Sequence, residues 1–318
     1  MFFVSPAKLR KAGVVGMNGR NVQLIARNNR RSLYPLVDNK VKTKEILAKA
    51  GISAPKLLGV VHHQGNIREL EDFLQKHQAF VIKPAKGSGG KGILVVSSHT
   101  DGEYTKASGE TIGLRSLQRH SSNILSGLYS LGGANDVAMI EEMVHFSDTF
   151  DGFSFQGVPD IRIIVYKGFP VMAMTRLSTK ASDGKANLHQ GAVGVGLDLQ
   201  TGQALRAVQF DRPVSHHPDT GVALQTFEVP LWSDFLLLAS RCYEITSLGY
   251  LGVDIVLDKL KGPMVLELNA RPGLAIQIAN GSGLQPRVDA IDAMQSQVIS
   301  NLSAHERAEY SMEHLSKV

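Results

Sequence analysis

The chain has 318 residues, 43% hydrophobic and 20% charged, enough to bury a substantial core spread over two or three packed lobes. Its single cysteine, Cys242, excludes an internal disulfide, and no apolar run approaches the length of a bilayer span, so a cytoplasmic protein with no membrane partner is expected. The formal charge of +5, with Arg27, Arg30 and Arg31 close together, raises nucleic acid as a partner, but no interleaved aromatics suited to stacking bases accompany it. A phosphate-bearing small molecule suits that charge better.

Residues before Pro35 have weak periodicity and stay unassigned. Asp38 reads as the cap of a helix that contains Ile46, Leu47 and Ala50 and stops at Gly51. Residues 55–61 read as extended and 67–76 as helical. Phe80, Val81, Ile82 and Lys83 form a short apolar run, residues 86–92 a Gly/Ser/Lys loop, and residues 93–96 a second apolar run: strand, loop, strand. Residues 97–113 are polar and read as a loop. Leu114, Leu117, Ile124, Leu125 and Leu128 have roughly helical spacing and predict a helix over 114–131, stopped by Gly132 and Gly133. A strand at 137–140 follows. Residues 161–166 and 170–176 flank Lys167, Gly168 and Phe169 as a hairpin, and residues 192–199 give another strand before a turn at Thr201 and Gly202. Pro230 is placed at the first position of a helix reaching about 247. A second hairpin at 251–257 and 264–268 precedes a helical C-terminal segment. Strands and hairpins mixed with helices indicate an α+β or α/β architecture with more than one sheet.

The loop containing Gly87, Gly89, Gly90 and Gly92 can bring backbone amides against an anion. It is not a Walker A loop, because Gly92 follows Lys91 where Ser or Thr is required; taken alone it is equally a surface turn. Lys83 ends an apolar strand just before it, placing a cation where phosphates would lie. Lys40 falls in the first turn of its helix, where a cation costs about 0.3–1 kcal/mol, so a bound anion would remove the conflict. Lys42 and Lys44 close behind add to the same charge, with a solvated basic face as the alternative reading for these two. A hairpin turn centred on Leu260 and Lys261 sets Asp254 opposite Glu267, with Asn269 on the same face. Two carboxylates and an amide oxygen suit magnesium, whereas two unrelated surface carboxylates are the plainer alternative. His62, His63, His216 and His217 have no zinc spacing and read as polar loop residues.

In order and spacing these motifs resemble the ATP-grasp superfamily and, within it, the alpha-L-glutamate ligases of the ribosomal protein S6 modification type. The resembling residues are Asp38 to Lys40, Phe80 to Ala85 with the glycine-rich loop, Ile140 to Glu142, Asp160 to Arg162, Asn187 to Gly191, Gly252 to Asp254 and Glu267 to Gly273. The resemblance implies an ATP-grasp fold of two lobes with ATP held between two sheets: a short N-terminal region at 1–37, a lobe at 38–143 carrying the glycine-rich loop, and a lobe at 144–318 carrying the metal. Lys40 and Lys83 would contact ATP phosphates under a loop containing Gly89 and Gly90. Glu141, Glu142 and Met143 match the adenine hinge and Asp160 a nucleotide-binding aspartate. Asp254, Glu267 and Asn269 match ligands of magnesium, for which manganese could substitute. Arg176 and Asn187 match positions near the transferred phosphate, and Arg162 and Arg271 are candidates to hold carboxylate or phosphate oxygens.

The implied reaction joins a carboxylate, activated by ATP as an acyl phosphate, to an amine. Substrates would be amino acids, peptides or a protein tail, and a homo-oligomer is compatible with the sequence. A kinase acting on a hydroxyl and a catalytically silent nucleotide-binding module are the competing readings. The N-terminal region is shorter than the domain that usually precedes this core, and the stretch 145–159, with Phe146, Phe150, Phe153 and Phe155, is longer than usual. Both are candidates to shape the acceptor site, although the phenylalanines equally suit ordinary packing.

Overall fold

The structure, a computed structural model, describes residues 4–87, 89–100, 102–155 and 157–318; Ser88 of the glycine-rich loop, Asp101 and Gln156 lie outside the described residues. The chain divides into two compact units, one of Asp38–Ile46 and Ala54–His145, the other of Met1–Val37, Leu47–Ser53 and Phe146–Val318.

The smaller unit holds six antiparallel strands: β1 (Leu57–Val61), β2 (Phe80–Pro84), β3 (Leu94–Thr100), β4 (Glu103–Lys106), β5 (Thr111–Gly113) and β6 (Ala138–Glu142), in the order β1-β6-β2-β3-β4-β5. Alternation along β2 sends Phe80 and Ile82 into a core shared with Leu117, Ile124 and Leu125 of the helix Leu114–Leu125, each contributing roughly 1.5–3 kcal/mol by burial. Val81 and Lys83 therefore face the other way, with their β6 partners Glu141 and Met139. Residues 97–113 are not a loop: β3 continues to Thr100, and β4 and β5 add to the sheet, with Tyr104 buried edge-on to Phe80. Their polar composition reflects solvent-facing strand positions.

The helix predicted to reach residue 131 ends at Leu125. Gly127, at φ 81°, lets its own N–H and that of Leu128 reach the Ile124 and Asn123 carbonyls, and a Cβ there would come within 2.6 Å of the Gly133 oxygen. The cap of the helix Lys40–Lys49 is Asn39 and not Asp38: the Asn39 Oδ1 accepts from Val41 N at 3.0 Å, while Asp38 ends the preceding turn Pro35–Asp38.

The larger unit is built on a seven-stranded antiparallel sheet: β7 (Asp160–Tyr166), β8 (Phe169–Leu177), β9 (Val193–Leu197), β10 (Ala204–Gln209), β11 (Arg212–Pro213), β12 (Tyr250–Asp258) and β13 (Gly262–Asn269), ordered β11-β10-β9-β8-β7-β12-β13. The helix Trp232–Thr246 packs on it, burying Trp232, Phe235, Leu236, Ala239 and Cys242. Pro230 is not its first residue, because Leu231 takes a left-handed conformation at φ 55° and the helix begins after it. The N-terminal segment, unassigned from sequence, is helical at Pro6–Lys11 and again from Met17, through a π-helical turn Arg20–Ala26. The buried Asn29 side chain ties it down, donating to the Tyr250 and Ala270 carbonyls and accepting from Tyr250 N.

Candidate functional site

Each unit, described by itself, holds a buried charged cluster. In the smaller unit, Lys83 from β2 and Lys44 from the helix Lys40–Lys49 converge on Glu141 of β6; Lys83 ion-pairs with its Oε1, and Lys44 Nζ lies 3.0 Å from its Oε2. All three side chains are buried. Burial alone would raise the Glu141 carboxyl, but the two ammonium groups outweigh it and hold it below the usual range. Burial, reinforced by Lys83, lowers Lys44 to about 8 against the pull of Glu141. Lys44 is thus no part of a solvated face, although Lys42 beside it is exposed.

Lys40 Nζ donates to the Gly87 carbonyl at 2.8 Å, anchoring the start of the glycine-rich loop. The buried Asp136 braces the same point, accepting from Lys86 N at 2.9 Å and from Ser130 Oγ at 2.7 Å. Gly89 and Gly90, at φ 63° and 73°, have open space around them. Glu142 N pairs with the Lys56 carbonyl at 2.9 Å at the end of β6, and Met143 follows it half-buried.

In the larger unit the strand register assembles the second cluster. Glu267 of β13, Asp254 of β12 and Arg162 of β7 stand directly opposite one another across three strands, and Asp160, two residues from Arg162, faces Arg176 of β8. Arg162 donates in a fork to both Asp254 oxygens, at 2.7 and 2.6 Å, while Arg176 joins Asp160 to Asp254 Oδ2 at 2.9 Å. Two guanidinium groups therefore balance two buried carboxylates. Burial would raise Asp254, but Arg162 and Arg176 hold it down at about 2; burial and the Asp254 charge push Asp160 up, opposed by Arg176.

The turn of the β12–β13 hairpin is centred on Leu260, one half-step from the expectation, and a bulge between Asp254 and Ile255 restores the Asp254–Glu267 pairing. Gly252, opposite Asn269, must lack a side chain because a Cβ would meet Pro272 at 2.8 Å. Asn269 Nδ2 approaches Asp254 Oδ2 at 3.3 Å. Arg271 lies over the Tyr34 ring at 4.9 Å. Asn187 caps the short turn Leu188–Gln190, accepting from His189 N at 3.0 Å, and Leu188 fills the space a Cβ would need at Gly194, the β9 partner of Arg176.

Glu267 and the Asn269 amide oxygen are hard donors on a half-buried edge, and magnesium accepts so small a protein set when phosphate and water oxygens complete its shell. Asp254 would join them only on releasing a guanidinium. Among the described residues no group of three or more His, Cys, Asp or Glu side chains is gathered for a metal.

His217 is not a polar loop residue: it is buried, with Nε2 3.0 Å from the Ser178 carbonyl and Nδ1 accepting from Asp219 N and Thr220 N. Phe150 and Phe153 pack on Phe227, with centroids at 5.0 and 5.1 Å.

Residues 19–293 match the sugar-transfer associated ATP-grasp family. The chain belongs to that family. Among solved structures, this ATP-grasp chain is similar to the ATP-grasp ligase PsnB complexed with a minimal precursor, at 15% identity and a TM-score of 0.44, covering 84% of this chain and 63% of that one. It thus spans less than two thirds of PsnB. It is also similar to the D-cycloserine synthetase DcsG (14% identity, 89% of this chain, 72% of that chain, TM-score 0.41) and to the D-alanine–D-alanine ligase from Bacillus anthracis (14%, 90%, 70%, 0.42). No curated protein matches the sequence. Two residues of this ATP-grasp chain escaped sequence reasoning. Lys44 had only its four-residue spacing from Lys40 as a signal, and Asp136 had none.

Proposed function

We propose that the protein is an ATP-dependent carboxylate–amine ligase that forms an amide through an acyl phosphate. The observation that carries this reading is the Asp254–Arg162–Arg176–Asp160 row beside Glu267 and Asn269: fixed guanidinium groups and oxygen donors on one face, suited to charge spread over a transferring phosphoryl group. Membership of an ATP-grasp family supports ATP as the phosphoryl donor. Lys40 and Lys83 bind its phosphates, the loop with Gly89 and Gly90 covers them, and the segment Glu141, Glu142 and Met143 takes the adenine, with the Glu141 side chain committed to the lysines. Magnesium, or manganese in its place, would be held by Glu267 and Asn269, joined by Asp254 once a guanidinium leaves it for phosphate, and would neutralise phosphate charge.

The substrate carboxylate attacks the γ-phosphorus and ADP leaves. Arg176, steered by Asp160, and Arg162 meet the phosphoryl oxygens, with Asn187 and Arg271 holding phosphate or carboxylate oxygens. The amine then attacks the acyl carbon, inorganic phosphate departs, and the amine proton passes to it. No side-chain nucleophile is required, and Cys242, buried with its thiol pushed up to about 12, is unsuited to be one. Glutamate is the proposed amino acid, with an amino acid, peptide or protein tail as acceptor, in the cytoplasm. The test is ADP formation from ATP and magnesium across a panel of amino acids and peptides, with mass spectrometry of each mixture. A product equal to two components minus water supports ligation; a phosphorylated hydroxyl would replace it with kinase activity.

A further inference from the structure

The net positive charge of this protein is not spread along the chain. Residues 1–37 contain Lys8, Arg10, Lys11, Arg20, Arg27, Arg30 and Arg31 and no Asp or Glu, so these seven cations exceed the surplus of five carried by the whole sequence. The remainder is slightly acidic. None of the proposed reaction steps uses these residues.

The same segment leaves apolar side chains exposed among the basic ones. Val4, Leu9, Met17 and Val22 all face solvent, Met17 at 61% and Val22 at 59% of their full exposure. The helix Pro6–Lys11 buries none of its residues, although a helix of six residues has little stability of its own and is usually held by packing. Between this helix and the turn that starts at Gly16 opens a cavity of about 690 Å³, lined by Pro6, Leu9, Val14, Val15 and Met17, with Arg10 beside them. Val14 to Gly19 form one wall of it.

We propose that this surface docks on an anionic lipid bilayer, the basic side chains meeting headgroup phosphates and carboxylates while Leu9, Met17 and the cavity take acyl-chain carbon. Charge complementarity selects an acidic partner, and the interleaved aliphatics select one with an apolar layer directly behind its charge. Nucleic acid offers no such layer, and the one aromatic among the described residues of this segment, Tyr34, has Arg271 over its ring. Such docking lies on the bilayer surface; no described helix is long and apolar enough to cross a membrane.

The test is co-sedimentation of the full chain with phosphatidylserine-containing vesicles and with phosphatidylcholine vesicles, at low and high salt. The chain should bind the first and not the second, with binding falling as salt rises. Arg10→Glu should weaken partitioning by more than about fivefold, the effect of one basic side chain at such a surface. Leu9→Asp with Met17→Asp should abolish it, and unchanged ATP affinity in these variants would show that the fold is intact. Lys76→Glu, which alters an exposed lysine of the other unit by the same charge, should have little effect. Absence of binding to phosphatidylserine vesicles, equal losses in Lys76→Glu and Arg10→Glu, or preferential capture by a polyglutamate peptide would each overturn the proposal.

Discussion

The two buried clusters each contain two cations, yet they reach different balances. In the larger unit Arg162 and Arg176 meet Asp254 and Asp160 one for one, through forked bonds that fix every plane. In the smaller unit Lys44 and Lys83 share the single carboxylate of Glu141, leaving a net positive charge in a dry place. A guanidinium delivers several directed N–H groups and saturates a carboxylate; an ammonium is a point charge, and two can crowd one acceptor. The arginine row is therefore a rigid template, while the lysine pair remains electrostatically incomplete and favours an incoming anion.

The largest expected effect comes from removing the shared acceptor. Glu141→Ala strands two buried ammonium groups and should cost about 3–5 kcal/mol, read from the urea midpoint. A loss below about 1 kcal/mol would mean that the lysines do not depend on it.

Next comes a contrast within the arginine row. Asp254→Asn should destabilise by roughly 3 kcal/mol because Arg162 and Arg176 lose a common anion. Glu267→Gln, on the half-buried edge, should leave stability within about 0.5 kcal/mol while stopping magnesium-dependent turnover. Similar destabilisation by both would erase the distinction between anchor and ligand. Asp254 has a folded pKa near 2, below its ordinary value, so its stabilisation is present above the carboxylate range and should fade as pH falls toward 2.

The most gradual effect concerns Lys44. Its pKa is about 8 in the folded chain against an ordinary 10.5, so between these values the unfolded chain holds more protons and stability should rise with pH, by a few kcal/mol at most. Urea unfolding across that window should show a flatter slope for Lys44→Met. An unchanged slope would place the ionisation elsewhere.

How much of this was legible in the sequence differs between the clusters. The Asp254–Glu267 pair was readable because both strands are apolar around it and a bulge cancels the displacement of the turn. The Asp160–Arg176 pair rests on a compensation the sequence does not display: the turn is two residues, Lys167 and Gly168, not the expected three, which by itself sets Thr175 opposite Asp160, and a bulge beyond Ile164 shifts the register by one. Turn chemistry is local, whereas a bulge answers to packing across the sheet. Lys44 was missed for a related reason, since four-residue spacing identifies a helix face without saying what lies against it. The strands β4 and β5 were hidden by composition, because their outward positions are polar.

Cys242 gives the molecule a chemical clock. It is the only sulfhydryl, it has no exposure, and it sits midway along the helix Trp232–Thr246 beneath the seven-stranded sheet. A thiol reagent can modify it only in moments when that helix lifts, so the modification rate, divided by the rate for an open thiol, reports how often the larger unit breathes. Events confined to the lysine cluster and its glycine-rich loop would leave that clock running at the same pace.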